Sequence, residues 1–179
     1  MGDSMEKQYV GGVMRNVLVV GASGALGGAF IRYLCALPDV ACVYALSTQA
    51  MSFQDARVQP ILLAGYDEAA IKTAAAQVNH NDLDFIVIAT GVLHDGEVMP
   101  EKSLREVNAD HMQHIFMANT VFPALVAKYI LPKLSTKRRA VMAFLSARVG
   151  SISDNKLGGW YAYRASKAAL NMVVKNIAI

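Results

Sequence analysis

The segment Asn16-Val17-Leu18-Val19-Val20 runs straight into Gly21-Ala22-Ser23-Gly24-Ala25-Leu26-Gly27-Gly28 and on into Ala29-Phe30-Ile31, and this junction restricts the fold more than any other part of the chain. A short apolar run without polar alternation suits a strand covered on both faces. The glycines after it let the backbone turn tightly and enter a helix. The free N–H groups and positive dipole end of that helix suit a pyrophosphate. Alone, such a turn is equally compatible with a plain structural connection, so its meaning depends on the rest of the chain.

Downstream of this turn, strand and helix patterns alternate. Apolar runs predict strands at 16–20, 41–46, 58–63, 85–89 and 140–145, with helices between them at about 25–37, 67–78, 103–107 and 109–131, and a last helix beginning near Tyr161. Strand and helix in alternation with short connections predict an α/β fold, a doubly wound parallel sheet in three layers. At 179 residues with 54% hydrophobic residues, one core is expected, and no repeat or linker suggests a second domain. The domain is assigned to residues 15–179, and residues 1–14, polar and glycine-containing, to an N-terminal extension.

At the far end, Tyr163-Arg164-Ala165-Ser166-Lys167 opens a helical run and sets a phenol and an ammonium four residues apart, on one helix face. A nearby cation favours the phenolate. Lowering a tyrosine pKa by ~2–3 units takes roughly 3–4 kcal/mol, which one close, partly desolvated charge can supply. The expectation is therefore a Tyr163 made more acidic by Lys167, able to move a proton at neutral pH.

The glycine turn and the Tyr-x-x-x-Lys pair together resemble the short-chain dehydrogenase/reductase family over nearly the whole chain. Gly150-Ser151-Ile152 and Gly158-Gly159-Trp160-Tyr161-Ala162-Tyr163-Arg164-Ala165-Ser166-Lys167 look most like the branch of C-factor-like proteins and sniffer-type carbonyl reductases. The resemblance implies a Rossmann-type fold and hydride exchange between a nicotinamide cofactor and a small carbonyl or alcohol substrate. It implies Tyr163 as proton donor and Lys167 as holder of the cofactor ribose. Asn119 stands four residues before Pro123, whose missing N–H should release the Asn119 carbonyl and kink the helix. It matches the family's asparagine that holds a water linked to the lysine.

Other positions depart from the family pattern. Its carbonyl-polarising serine falls on Ala147; the neighbouring Ser146 is the preferred substitute and Ser151 the second, with a structural turn serine left open. Neighbours on a strand face opposite ways, so one residue matters. The fourth strand ends Ile88-Ala89-Thr90-Gly91 where the family has Asn-Asn-Ala-Gly, and Ala25 replaces a middle glycine. The cofactor residues expected on this basis are Gly21, Ser23, Gly24, Ala25, Leu26, Gly27, Ser47, Thr48, Ala89, Thr90 and Gly91, with Tyr163 and Lys167. Leu46-Ser47-Thr48-Gln49 carries no acid to repel a 2′-phosphate, which tilts the choice toward NADP, with NAD possible. Asp67 reads as a helix N-terminal residue.

Composition excludes several classes. The net charge is only +3, and the basic cluster from Lys133 to Arg139 lacks aromatic interleaving, so no nucleic-acid partner is expected. No apolar run reads as long enough to cross a membrane, and residues 1–12 have no secretion pattern. Cys35 and Cys42 fit neither a C-x-x-C motif nor a zinc knuckle and are expected as buried thiols in a reducing cytosol. His111 and His114 lack a third ligand at a suggestive spacing, so no metal is expected. The chain stops at Ile179, early for the family, and the segment that would cover the substrate is expected to be missing. Apolar residues on the last two long helices, including Phe116, Val121, Leu125, Leu170, Val173, Val174 and Ile177, predict a homodimer or homotetramer. Two other readings remain: a nucleotide-binding signalling protein of C-factor type without significant turnover, and an inactive fragment of a reductase.

Overall fold

A computed structural model describes residues 15–94, 96 and 99–179; the N-terminal extension assigned to residues 1–14 lies outside them. Five strands, β1 (Arg15–Val20), β2 (Val40–Ser47), β3 (Val58–Leu62), β4 (Leu83–Ile88) and β5 (Val141–Phe144), form one parallel sheet in the order β3-β2-β1-β4-β5. The reversal between β1 and β4 is the switch point at which doubly wound sheets bind ligands, beyond the strands' carboxyl ends.

Both faces of the sheet are covered. Val17 and Val19 of β1 pack with Ile31 and Leu34 of helix α1 (Ala25–Ala36). Leu18 and Val20 pack the other way, with Ile71 of α2 (Glu68–Ala76) and with Phe122, Val126 and Ile130 of α4 (Phe122–Ile130). This two-sided burial explains why the strands read as unbroken apolar runs. Helix α3 (Ala109–Phe116) precedes α4, and α5 (Tyr161–Ile177) lies across α3.

Three expectations change. β4 begins two residues before the expected Phe85 and takes in Asp84, a carboxylate that the pattern alone assigns to a loop. Its charge is met inside the fold, where Oδ2 accepts from the Asn16 N–H at 3.0 Å and from Arg138 Nη2 at 2.9 Å. The short helix expected at 103–107 is a 3-10 turn, Leu104–Glu106. The long helix expected at 109–131 contains a π turn, Met117–Val121, in which the Phe122 N–H donates to the Met117 carbonyl. The extra residue shifts the bonding by one position, so proline's missing donor falls at the restart of α4 and no sharp break is required.

By length and composition the Ala109–Lys133 stretch is apolar enough to cross a membrane, its most apolar 18-residue window having mean hydropathy 1.4, contrary to the expectation; half of that window is buried inside the fold, as in the core helix of a globular protein. Asp67 caps α2, its carboxylate accepting the Ala70 N–H at 2.9 Å.

Candidate active site

The glycine turn forms at the carboxyl end of β1. Gly21 has φ +84°, a left-handed conformation that favours glycine, and a Cβ there would also press on Ala89 and Thr90 at 3.0–3.1 Å. Gly27 lets α1 approach the turn: a Cβ on it would lie 2.1 Å from the Gly21 carbonyl oxygen. Between them Ser23, Gly24, Ala25 and Leu26 are exposed, and no side chain caps the start of α1 at Gly24. Uncapped N–H groups on an open helix N-terminus are what a pyrophosphate requires. Thr90 faces the same turn, and its hydroxyl is buried with no hydrogen-bond partner, an orphan that a bound ligand could satisfy. These residues fit a dinucleotide.

At the end of β2 the two hydroxyls differ. Ser47 is only 3% exposed, and its Oγ accepts the Gln49 N–H at 2.9 Å, whereas Thr48 is exposed. Of the pair expected to meet a 2′-phosphate, only Thr48 presents its side chain outward.

The catalytic candidates converge beyond β4. A Cβ on Gly91 would lie 3.1 Å from Lys167 Nζ and 3.6 Å from Asn119 Oδ1, so both side chains crowd this glycine. Asn119 is fully buried in the π turn. Its Oδ1 accepts from the Val92 N–H at 2.7 Å, and its Nδ2 donates to the Val92 carbonyl at 2.9 Å and to Ser166 Oγ at 3.0 Å. Lys167 is 3% exposed and donates to the Leu145 carbonyl at 2.9 Å, which ties the end of β5 to α5. Gly150 allows that approach, since a Cβ on it would stand 2.8 Å from Lys167 Cβ.

Tyr163 lies one turn before Lys167, whose Nζ is 5.8 Å from its ring centroid. The expected acidification is absent. Burial raises the Tyr163 phenol above its ordinary value, and burial lowers the Lys167 ammonium. Desolvation is the cause that governs both groups, while Lys167 donates to the Leu145 carbonyl.

Ser146 is exposed and donates to Asn171 Oδ1 at 2.6 Å. Asn171 is eight residues beyond Tyr163, about 12 Å farther along the helix axis, so this hydroxyl is aimed away from the phenol. Ser151 Oγ lies 3.4 Å from Ser153 Oγ and accepts the Asp154 N–H at 3.3 Å, lining a separate cavity of about 250 Å³ with Tyr161 and Arg164. Ala147 is extended, with φ −147° and ψ 148°, and presents only a methyl group.

His111 and His114 line a cavity of about 460 Å³ with Glu101, Glu106 and Asp110, and no metal-holding cluster occurs among the described residues. Cys42 is buried and Cys35 half-buried, both as free thiols. Sequence reasoning did not single out Glu101 or Thr120, nor give Ser166 a part of its own. Their partners lie 46 to 61 residues away, beyond the reach of any local pattern.

A parallel sheet in this order, with a glycine turn at the switch point and buried Asn119 and Lys167 beside a half-buried Tyr163, defines a Rossmann-type architecture. A family model described as short chain dehydrogenase matches residues 15–179, and the chain belongs to that family. C-signal of Myxococcus xanthus is 38% identical over 76 residues, a match covering 42% of this chain and 46% of C-signal, less than half of that relative's length. The structure of NADPH-bound carbonyl reductase from chicken fatty liver is 26% identical, with TM-score 0.77, covering 90% of this chain and 68% of that one. Carbonyl reductase Sniffer of D. melanogaster shares the fold at 22% identity and TM-score 0.79, covering 92% of this chain and 74% of that one.

Proposed function

We propose that the protein catalyses NADP(H)-dependent reduction of a small carbonyl compound, with Tyr163 as proton donor. The convergence of Lys167 and Asn119 on Gly91, beside a turn open for pyrophosphate, carries this reading. The cofactor supplies the hydride. The chain's own residues do the rest. The turn from Gly21 to Gly27 offers backbone N–H groups to the pyrophosphate, Thr90 its free hydroxyl, and Thr48 a donor without a repelling carboxylate to a 2′-phosphate. Lys167 holds the ribose hydroxyls, and Asn119 locks the π turn against α5. The Tyr163 hydroxyl donates a hydrogen bond to the substrate oxygen and gives up its proton as negative charge grows there.

We read Ser146 as standing outside the reacting group, a reading supported by its hydrogen bond to Asn171. With alanine at 147, carbonyl polarisation falls to Tyr163 alone, which predicts a slow reductase. A homodimer or homotetramer is proposed on the π turn, α4 and α5, where Val121 of the turn and Met172 of α5 are 39% and 61% exposed; Leu170, only 2% exposed, serves the chain's own core instead.

Titrating the protein with NADPH and NADH by fluorescence, then offering a panel of aldehydes and ketones with NADPH, tests the proposal. Binding with turnover is expected. Binding without turnover on any carbonyl would instead support the nucleotide-binding signalling role, and absence of binding would refute both.

A further inference from the structure

We infer that Glu101 is a positioning residue for Tyr163, fixing the start of the helix that carries the phenol. This rests on Tyr163 being the proton donor. Glu101 is only 2% exposed, uncommon for a carboxylate, and it belongs to the segment ahead of α3 rather than to α5. It grips α5 twice. Its backbone carbonyl accepts the Trp160 N–H at 2.5 Å, and its carboxylate faces the Ala162 N–H at 3.3 and 3.4 Å. Tyr163 is the next residue. A carboxylate at this place meets orphan N–H groups and the positive end of the helix dipole, so it satisfies the helix start and is itself stabilised there.

The approach to α5 is strained. Gly158, Gly159 and Trp160 have φ of +67°, +65° and +51° in succession, and Trp160 is the single non-glycine residue with positive φ among the described residues. Such a conformation persists only where the surroundings over-determine it. The Glu101 carbonyl holds the Trp160 amide, and the Trp160 ring packs edge-on against Tyr163, centroids 6.3 Å apart at 76°. His111 of α3 stands behind, with Nε2 3.8 Å from Glu101 Oε1. Glu101 thus joins α3, the strained turn and the helix start, and the phenol's location follows from that junction. A displacement of a fraction of an ångström at a proton donor affects turnover more than cofactor affinity.

The test uses E101A, E101Q and E101D in the full-length protein. Trp160, the one tryptophan in the sequence, reports the turn directly. E101A should lower kcat by about 10-fold, leave the NADPH dissociation constant within about 2-fold, and shift Trp160 emission to longer wavelength. E101Q keeps an oxygen that can accept the Ala162 N–H and should stay near wild type in all three. Should E101A fail to fold, E101D is decisive, because it keeps the charge and withdraws the oxygens; it should show a partial loss of kcat with the same emission shift. Wild-type kcat and emission in E101A or E101D overturn the inference, as does an E101Q loss as large as that of E101A. If the unaltered protein reduces no carbonyl, the reductase reading falls separately, while Trp160 emission in the three variants still decides whether Glu101 sets the turn.

Discussion

Asn119 and Ser166 share a fully buried hydrogen bond of 3.0 Å, and the Ser166 hydroxyl passes it on to the Tyr163 carbonyl at 2.8 Å. Thr120, the next residue of the π turn, donates to the Ser166 carbonyl at 2.8 Å. Two adjacent side chains of one helix therefore hold both polar ends of a residue lying between the proposed proton donor and the lysine. Helix α5 is thus fixed by hydrogen bonds that have few alternative geometries, and any chemistry at Tyr163 inherits that rigidity.

Tyr163→Phe should reduce turnover by ~10²-fold or more while leaving NADPH affinity in place, because it removes a proton and no packing. Lys167→Met should weaken both. Steady-state kinetics with a parallel binding titration separate the two; unchanged turnover in Tyr163→Phe would refute the mechanism.

The serine position can be refilled. Ala147→Ser should raise kcat by roughly 10-fold by adding a second donor to the substrate oxygen, with KM for NADPH unchanged. Ser146→Ala should leave kcat within about 2-fold, since its hydroxyl is committed to Asn171. A loss in Ser146→Ala comparable to that in Tyr163→Phe would return Ser146 to the reacting group.

The pH profile is set by the direction of the phenol shift. Reduction needs protonated Tyr163, and burial raises its pKa, so kcat/KM for the carbonyl should stay flat through neutral pH. It should fall as pH rises past the ordinary tyrosine range, above ~10. Alcohol oxidation needs the phenolate and should climb over that same window. A reduction profile that already falls between pH 6 and 8 would show that the bound cofactor reverses the shift.

Gly27→Ala should abolish NADPH binding, since the new Cβ would stand 2.1 Å from the Gly21 carbonyl oxygen and the turn would have to open. Gly28→Ala is the control, its Cβ meeting the end of the flexible Arg32 side chain at 3.4 Å. Equal affinities in the two variants would argue against phosphate binding at this turn.

Cofactor preference should depend on Thr48. Thr48→Asp should shift selectivity from NADPH toward NADH through repulsion of the 2′-phosphate, measurable as the ratio of dissociation constants. Ser47→Asp is the poorer probe, because Ser47 is 3% exposed and a carboxylate there would destabilise the strand end. An unchanged ratio in Thr48→Asp would remove Thr48 from the site.

Local patterns carried much of this architecture. The strand into Gly21, the helix into Lys167 and the asparagine before Pro123 are each written within a few residues, and the fold puts all three at one end of the sheet. The direction of the Tyr163 shift is not legible in a four-residue spacing, because it is set by how deeply the fold buries the phenol. Glu101 is hidden because its amide partner lies 61 residues on. The π turn is not written in the sequence, because a proline after an asparagine specifies a disturbed helix without saying how the disturbance resolves.

That turn also acts as a phase shifter. One surplus residue rotates everything after it by about 100° relative to an uninterrupted helix. Ahead of it, α3 faces α5; after it, Phe122, Val126 and Ile130 point into the sheet. A single continuous helix could not serve both neighbours with the same side chains. Deleting one residue from 117–121 would restore ideal helical bonding with both apolar stripes still in phase, and what it would disturb is the placing of Asn119 and Thr120 against Ser166. The local irregularity is what lets one helix pack on α5 at one end and belong to the core at the other.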